Sequence, residues 1–376
     1  MTTLSNVYIH TDEETFYGSI TFDKTIQSIS KAQEGGMDGR GMHLIPGFVD
    51  QHVHGAMNAD TMDATHEALE TISVALAQEG VTSFLATTMT ESKEKIELAL
   101  QSIATFKSIN GATCVGVHLE GPFLSPQMAG AQDREKLRAP DVDLLESWMK
   151  ISGGKIKIVT LAPELPHAKA LIQSCMKQGI VPAIGHSDAT DEICFDAIQD
   201  GVKGFSHAYN AMRPFRHRDA GVVGAMLLSE NTYAELIADG VHVSKTAMQL
   251  LLKNKGVDHV ILVSDAMRAK SMPDGMYDLG GTSIHVENHI ARTPAGALAG
   301  STLTMSQACH NIQTLLNLSW DDVIKMTSHN PAKNLRMEET TGTIAIGKNA
   351  DLVLVDSEFH VEMTFVQGRK VFEKSR

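Results

Sequence analysis

The sequence predicts a (β/α)8 parallel barrel joined to a small β-sandwich made from both ends of the chain. Three observations predict it. Eight short apolar, β-branched runs alternate with helical patterns through the middle of the chain. Polar groups of acid/base or metal-ligand type follow those runs. The two ends carry strand-like pieces with no helical stripe between them. A doubly wound open sheet shares the local alternation, but a barrel alone gathers all the strand ends around one mouth, which gives the recurring polar groups a common purpose.

In chain order, residues 1–47 hold the pieces NVYIH, YGSITF and IQSISK and a Gly-rich turn, EGGMDGRG. The barrel then spans 48–337. Its runs are GFVDQHVHG, VTSFLATT, TCVGVHLEGPF, KIKIVTLAPE, IVPAIGHSDA, KGFSHAYNAM, AELIADGVHV and HVILVSDAM. In HEALETISVALAQEG, Leu69, Ile72 and Leu76 fall on one helical face, and Gly80 stands where a C-terminal cap belongs. Ile96, Leu100 and Ile103 repeat the stripe in KEKIELALQSIATFK. Residues 338–376 return to strand-like pieces, TGTIAIG, DLVLVDSE, VEMTFV and KVFEK, the last two joined at Gln367 and Gly368 in hairpin fashion. Neither end has enough strands to bury a face alone, so the two are expected to combine.

Composition bounds the function. Of 376 residues, 43% are hydrophobic and 20% charged, the balance of a soluble globular chain with a sizeable core. No apolar run approaches the ~18 residues that span a bilayer, and MTTLSNVYIHTDEE lacks the basic and apolar regions of a secretory signal, so the cytoplasm is expected. The net charge of −13, without a long basic run, disfavours nucleic acid and anionic membrane as partners. Cys114, Cys175, Cys194 and Cys309 are scattered and suggest neither disulfides nor a thiolate metal site. No phosphate-cradling Gly-rich loop supports a nucleotide enzyme.

The chemistry lies at the strand ends. His52 and His54 are two apart and point the same way from a strand; they hold a metal ion, or else one bonds a carbonyl and the other lines a rim. Further along come Thr87 and Thr88, Glu120, Glu164, His186, His207, Asp239 with His242, and Asp265. Each alone reads equally as a helix cap or loop residue. A barrel makes them neighbours, and four imidazoles with a carboxylate suit zinc, iron, manganese or cobalt.

The motifs HLEGPFLSP, IGHSDA, SHAYNAM, IADGVHV, LVSDAM, LAGSTLTM and SHNPAK, with the tail GTIAIGKNADLVLVD, resemble the N-acetylglucosamine-6-phosphate deacetylases of the amidohydrolase superfamily over almost the whole chain. The resemblance implies Glu120, His186 and His207 as main metal ligands, Asp265 as general base and acid, and His52 with His54 as ligands of a second ion bridged by Glu120. It implies substrate contacts from Gln132, Asn210, Ala211, Arg218 and His242, and from the backbone of Leu298, Ala299 and Gly300. Arg218 would reach across a homodimer interface to the phosphate in the neighbouring site, where a guanidinium fork suits that anion. Some relatives carry a histidine where this chain has Gln132; a glutamine holds no positive charge, which moves carbonyl polarisation toward a metal. His118 is expected to orient a ligand or pack in the mouth. KIKIVTLAPE has no lysine at its strand end, where Pro163 and Glu164 stand, which argues against sites bridged by a modified lysine there. The activity implied is hydrolysis of N-acetylglucosamine 6-phosphate to glucosamine 6-phosphate and acetate, with the galactosamine epimer as the nearest rival. A non-catalytic scaffold would be expected to lose Asp265 and the ligands first.

Overall fold

The computed structural model describes residues 1–32 and 35–375. Its centre is an eight-stranded sheet: β1 (Phe48–Val53), β2 (Val81–Thr87), β3 (Thr113–Glu120), β4 (Ile156–Leu161), β5 (Val181–Ile184), β6 (Gly204–Phe205), β7 (Tyr233–Leu236) and β8 (Val260–Leu262). They pair in parallel and in chain order. The ends meet just beyond β8, where Val53 bridges Ala266 in parallel, the His54 amide donates to the Ala266 carbonyl at 2.9 Å and the Asp265 amide to the His52 carbonyl at 2.8 Å. The sheet therefore closes into the expected barrel. Every residue of β1 and β2 is buried, as befits parallel strands covered on both faces.

Outside the ring, Phe48, Phe84 and Val159 pack with Leu69, Ile72, Leu76, Ile96, Leu100 and Ile103 of the two predicted helices, now bounded as His66–Gln78 and Lys93–Thr105. Thr65 and Ser92 cap their starts by accepting from Ala68 and Lys95 amides. Gly80 follows the first helix with φ +90°, the conformation a C-terminal cap asks of glycine. A smaller cluster of Val49, Leu85, Ile158 and Val181 packs with Leu335, contributed by the segment that follows the barrel's last helices.

Both ends form one seven-stranded sheet, ordered Arg369–Glu373, Val361–Val366, Leu352–Val355, Met37–Pro46, Thr2–His10, Thr15–Phe22, Ile26–Ser30. Phe22 and Phe365 stand four strands apart in that order, about 19 Å if the sheet were flat. Their ring centroids are 5.1 Å apart. The sheet has folded over on itself, with Leu4, Ile20, Phe22, Leu44, Leu352 and Phe365 between its halves, so the expected sandwich is one sheet doubled back. Gln367 and Gly368, both at positive φ, turn the last hairpin.

Three details differ from expectation. TGTIAIG forms no strand: Gly342 and Gly347 sit at φ +88° and +89°, outside extended backbone, and the segment turns. Residues 37–41 of the predicted Gly-rich turn lie inside the strand Met37–Pro46, whose register shifts there, while Glu34 lies outside the described residues. Beyond β8 an unanticipated antiparallel ribbon, Gly275–Leu279, Thr282–Glu287 and Ile290–Arg292, leans over the barrel mouth. Among the described residues no helix is long and apolar enough to cross a membrane.

Candidate metal centre

A chamber of 390 Å³ opens at the C-terminal ends of the strands. Of the residues named from sequence, His54, Glu120, Gln132, His186, His207, Asn210, Ala211, His242, Asp265, Leu298 and Gly300 line it. Its roof is Leu279 of the antiparallel ribbon and Ala297 beside it. His52 lies directly behind, fully buried.

Glu120 is the centre of the cluster. Its Oε1 stands 3.1 Å from Nε2 of His207, 3.4 Å from Nε2 of His186 and 3.3 Å from Nε2 of His52. Its Oε2 is 3.3 Å from Nε2 of His54, and Oδ1 of Asp265 is 3.5 and 3.3 Å from the same nitrogens of His52 and His54. Two groups of ligand grade thus share one carboxylate: Glu120, His186, His207 and, beside them, His52, His54, Asp265. Atoms 2.0–2.1 Å from a tetrahedral ion stand about 3.3 Å apart, so this spacing matches a metal set.

Tautomers carry the test further. The Nδ1 of His186 faces the Met128 carbonyl at 2.9 Å and that of His207 faces the Asn210 carbonyl at 3.1 Å. A carbonyl only accepts, so both protons sit on Nδ1 and both Nε2 lone pairs point inward, 3.0 Å apart. Two lone pairs and a carboxylate at that distance call for positive charge among them. On the other side, Nδ1 of His52 donates to Oε2 of Glu235 at 2.8 Å, which leaves its buried Nε2 without a hydrogen-bond partner. The donor set fits one or two divalent ions.

The electrostatics agree. Burial opposes charge on Glu120, yet the adjoining imidazoles, His52 first, hold its carboxyl well below the usual range. Burial likewise opposes the charge of Asp265, and His52 and His54 bring it down to about 2. His54 is disfavoured as a cation by burial, but the Asp265 and Glu120 carboxylates raise it to about 9. The pocket attracts positive charge, whether proton or metal. Three of its ionisable residues are also held in left-handed backbone, His186 at φ +48°, His207 at +33° and Asp265 at +46°, a strain of order 1–3 kcal/mol each that persists only where the surroundings enforce it.

Gln132 and Ala299 behave otherwise than expected, whereas His118 packed against His52 and Arg218 outside its own chamber keep to expectation. Gln132 lines the chamber, but its amide nitrogen donates to Glu120 Oε2 and its oxygen accepts from the Thr90 amide, each at 2.8 Å; its polar atoms act on Glu120 rather than on a ligand. Ala299 does not line the chamber: its side chain packs with Met89 and Met267 and its amide donates to Ala291. Arg218 is exposed and outside the chamber, and Asp219 beside it pairs with Arg213 at 2.8 Å. His118 packs edge-on against His52, its nitrogens engaged by the Gln51 carbonyl and Thr160 hydroxyl. Glu164 accepts from Ser187 and Asp188 and takes no place in the cluster. Sequence reasoning missed the Met128 carbonyl and Glu235. The latter had a signal, an acid inside an apolar strand run, which rarely stays buried without a partner.

A closed parallel barrel with imidazoles and carboxylates meeting at its C-terminal mouth defines a metal-site barrel of the hydrolytic kind. The Amidohydrolase family model matches residues 43–371, and the chain belongs to that family. It is 44% identical over 335 residues to an N-acetylglucosamine-6-phosphate deacetylase of Lysinibacillus sphaericus, covering 89% of this chain and 86% of that one. It is 36% identical to an N-acetylgalactosamine-6-phosphate deacetylase of Escherichia coli O157:H7, covering 87% of each. The crystal structure of N-acetylglucosamine-6-phosphate deacetylase from Thermotoga maritima superposes with a TM-score of 0.89 at 33% identity, over 99% of this chain and 100% of that one. The resemblance seen in the motifs thus extends through the whole chain.

Proposed function

We propose that the protein hydrolyses the acetamide of N-acetyl-D-glucosamine 6-phosphate, using one or two divalent ions drawn from zinc, iron, manganese or cobalt. The observation that carries this reading is the convergence of Glu120, His186, His207, His52, His54 and Asp265 at the chamber floor, linked to one another by contacts of 3.0–3.5 Å. Ions held there would make water ionisable near neutral pH and draw charge from a carbonyl oxygen. Asp265, a carboxylate at neutral pH, accepts the proton of the attacking water and returns it to the departing nitrogen. A C–O bond forms, the C–N bond breaks, and acetate and glucosamine 6-phosphate leave.

The sugar lies against Asn210, Ala211, Leu298 and Gly300 in this reading. His242, whose Nδ1 faces Asp239 at 2.6 Å, presents its other nitrogen to the chamber. Arg218, turned away from its own chamber, serves the phosphate of a second copy in a homodimer. The charge on that phosphate bars the substrate from crossing a bilayer, and this reading places the enzyme with it in the cytoplasm. The unit boundaries that go with this reading are 1–47 and 338–376 for the terminal sheet and 48–337 for the barrel.

The galactosamine epimer is the second reading, favoured by the 36% identity to a deacetylase of that substrate. Incubating the protein with each epimeric 6-phosphate, with and without chelator, and measuring acetate together with bound metal, separates them. Chelator-sensitive release, faster from the gluco epimer, is expected. Release that ignores the chelator would overturn the mechanism, and preference for the galacto epimer would reverse the substrate.

A further inference from the structure

We infer that Glu235, together with Gln51 and Asn334, is a positioning relay that fixes the tautomer of His52 and so creates the strand-1 half of the metal centre. This rests on the two-ion reading above and adds to it residues that touch neither substrate nor ion.

The relay is continuous. The Asn334 amide nitrogen donates to Oε1 of Gln51 at 2.9 Å, the Gln51 amide nitrogen to Oε1 of Glu235 at 2.7 Å, and Nδ1 of His52 to Oε2 of Glu235 at 2.8 Å. Each member is at least nine-tenths buried: Asn334 is 8% exposed, Glu235 3%, Gln51 2% and His52 0%. The order fixes itself from Glu235. A carboxylate only accepts, so Gln51 turns its nitrogen to Glu235 and its oxygen to Asn334, and one carboxylate oxygen remains to accept from His52. His52 can then carry its proton only on Nδ1.

That choice matters because of what faces the other nitrogen. Glu120 and Asp265 oxygens lie 3.3 and 3.5 Å from Nε2 of His52. An imidazole left to itself would turn its proton toward those carboxylates and occupy the ion's place with a hydrogen bond. Glu235 offers the proton an anionic acceptor on the opposite side. Buried carboxylates behind ligating histidines act in this way in metal sites generally. His118 takes no part in the choice, since both its nitrogens are engaged elsewhere; the group His52, His118, Glu235 is therefore a scaffold for a ligand and not a third ion site.

The test uses the whole protein loaded with Zn²⁺. In wild type, zinc titration against a competing chelator is expected to give two ions per chain, and ¹⁵N-detected histidine NMR of the loaded protein a proton on Nδ1 of His52. Glu235→Leu should weaken the strand-1 ion by about 10- to 100-fold and leave the ion of Glu120, His186 and His207 within a few-fold. Glu235→Gln, which keeps an acceptor without the charge, should fall between, and Asn334→Leu should shift affinity the same way by less. Two ions bound with wild-type affinity in both Glu235 variants would overturn the relay while sparing the two-ion reading. Wild-type protein that takes up one ion would overturn both. If Glu235→Leu fails to fold, the wild-type spectrum still decides, since zinc on Nδ1 or a proton on Nε2 of His52 contradicts the proposal.

Discussion

Asp265 is the residue on which the proposed reaction turns, because it alone both borders the chamber and starts as a carboxylate without being the shared ligand. Asp265→Asn keeps shape and an oxygen facing His52 and His54, so bound metal should be unchanged while turnover falls by about 10² to 10⁴; acetate release and metal analysis on the same sample check it, and a mild loss moves the base elsewhere. Replacing the strand-1 pair, His52→Gln with His54→Asn, should instead remove one ion and keep the other, with activity reduced because Gln132 supplies no charge of its own. Full occupancy and full activity in that variant would rule out the second ion. Away from the centre, His10 reports on the terminal sheet. Burial first, and then neighbouring His43, lower its pKa from 6.5 to about 4, so between those values the unfolded chain binds a proton that the folded one refuses. Stability is therefore constant above pH 6.5 and falls as pH drops to 4, by up to about 3 kcal/mol from this group. His10→Phe should lower stability at pH 7, since His43 and Thr15 lose a partner, yet flatten the acid slope seen in denaturant melts; an unchanged slope would assign it to other groups.

At the scale of elements, what could be read from sequence and what could not divide along physical lines. Buried parallel strands announce themselves as apolar runs, so all eight were legible, and His52, Glu120, His186, His207 and Asp265 were legible as a group because a barrel brings their strand ends together. The ribbon over the mouth was not, since Thr282–Glu287 alternates buried and exposed positions in a short stretch and gives a weak signal. Glu235 was missed although an acid in an apolar strand is a signal, because its partners Gln51 and His52 are 184 and 183 residues away and no local pattern names them. The doubled-over terminal sheet was foreseen as a need for burial rather than as a geometry. Its distinguishing contact is Phe22 against Phe365, edge to face. A double-mutant cycle with Phe22→Leu and Phe365→Leu should return a coupling of about 0.5–1.5 kcal/mol, whereas additive losses would mean that the two halves do not meet through these rings.

For the whole molecule, the terminal sheet and barrel share a seam, with the Thr364 hydroxyl donating to the Ala77 carbonyl at 2.7 Å and the Arg369 guanidinium to the Ile109 carbonyl at 2.6 Å. The mouth at the other side gathers groups of metal-ligand and acid/base type, but among the described residues its lining contains neither lysine nor arginine. A phosphorylated substrate needs such a charge, and Arg218, exposed on the loop after β6, is the residue the dimer reading supplies from a second copy. Complementation tests this directly. Arg218→Ala and Asp265→Asn proteins should each be nearly inactive alone. If Arg218 serves the neighbouring site, a mixed dimer contains one chamber that has its own Asp265 and the intact Arg218 of its partner, so random re-pairing of the two variants in equal amounts should restore about a quarter of wild-type activity. An arginine acting within its own chain leaves every mixed chamber defective, and mixing would then recover nothing.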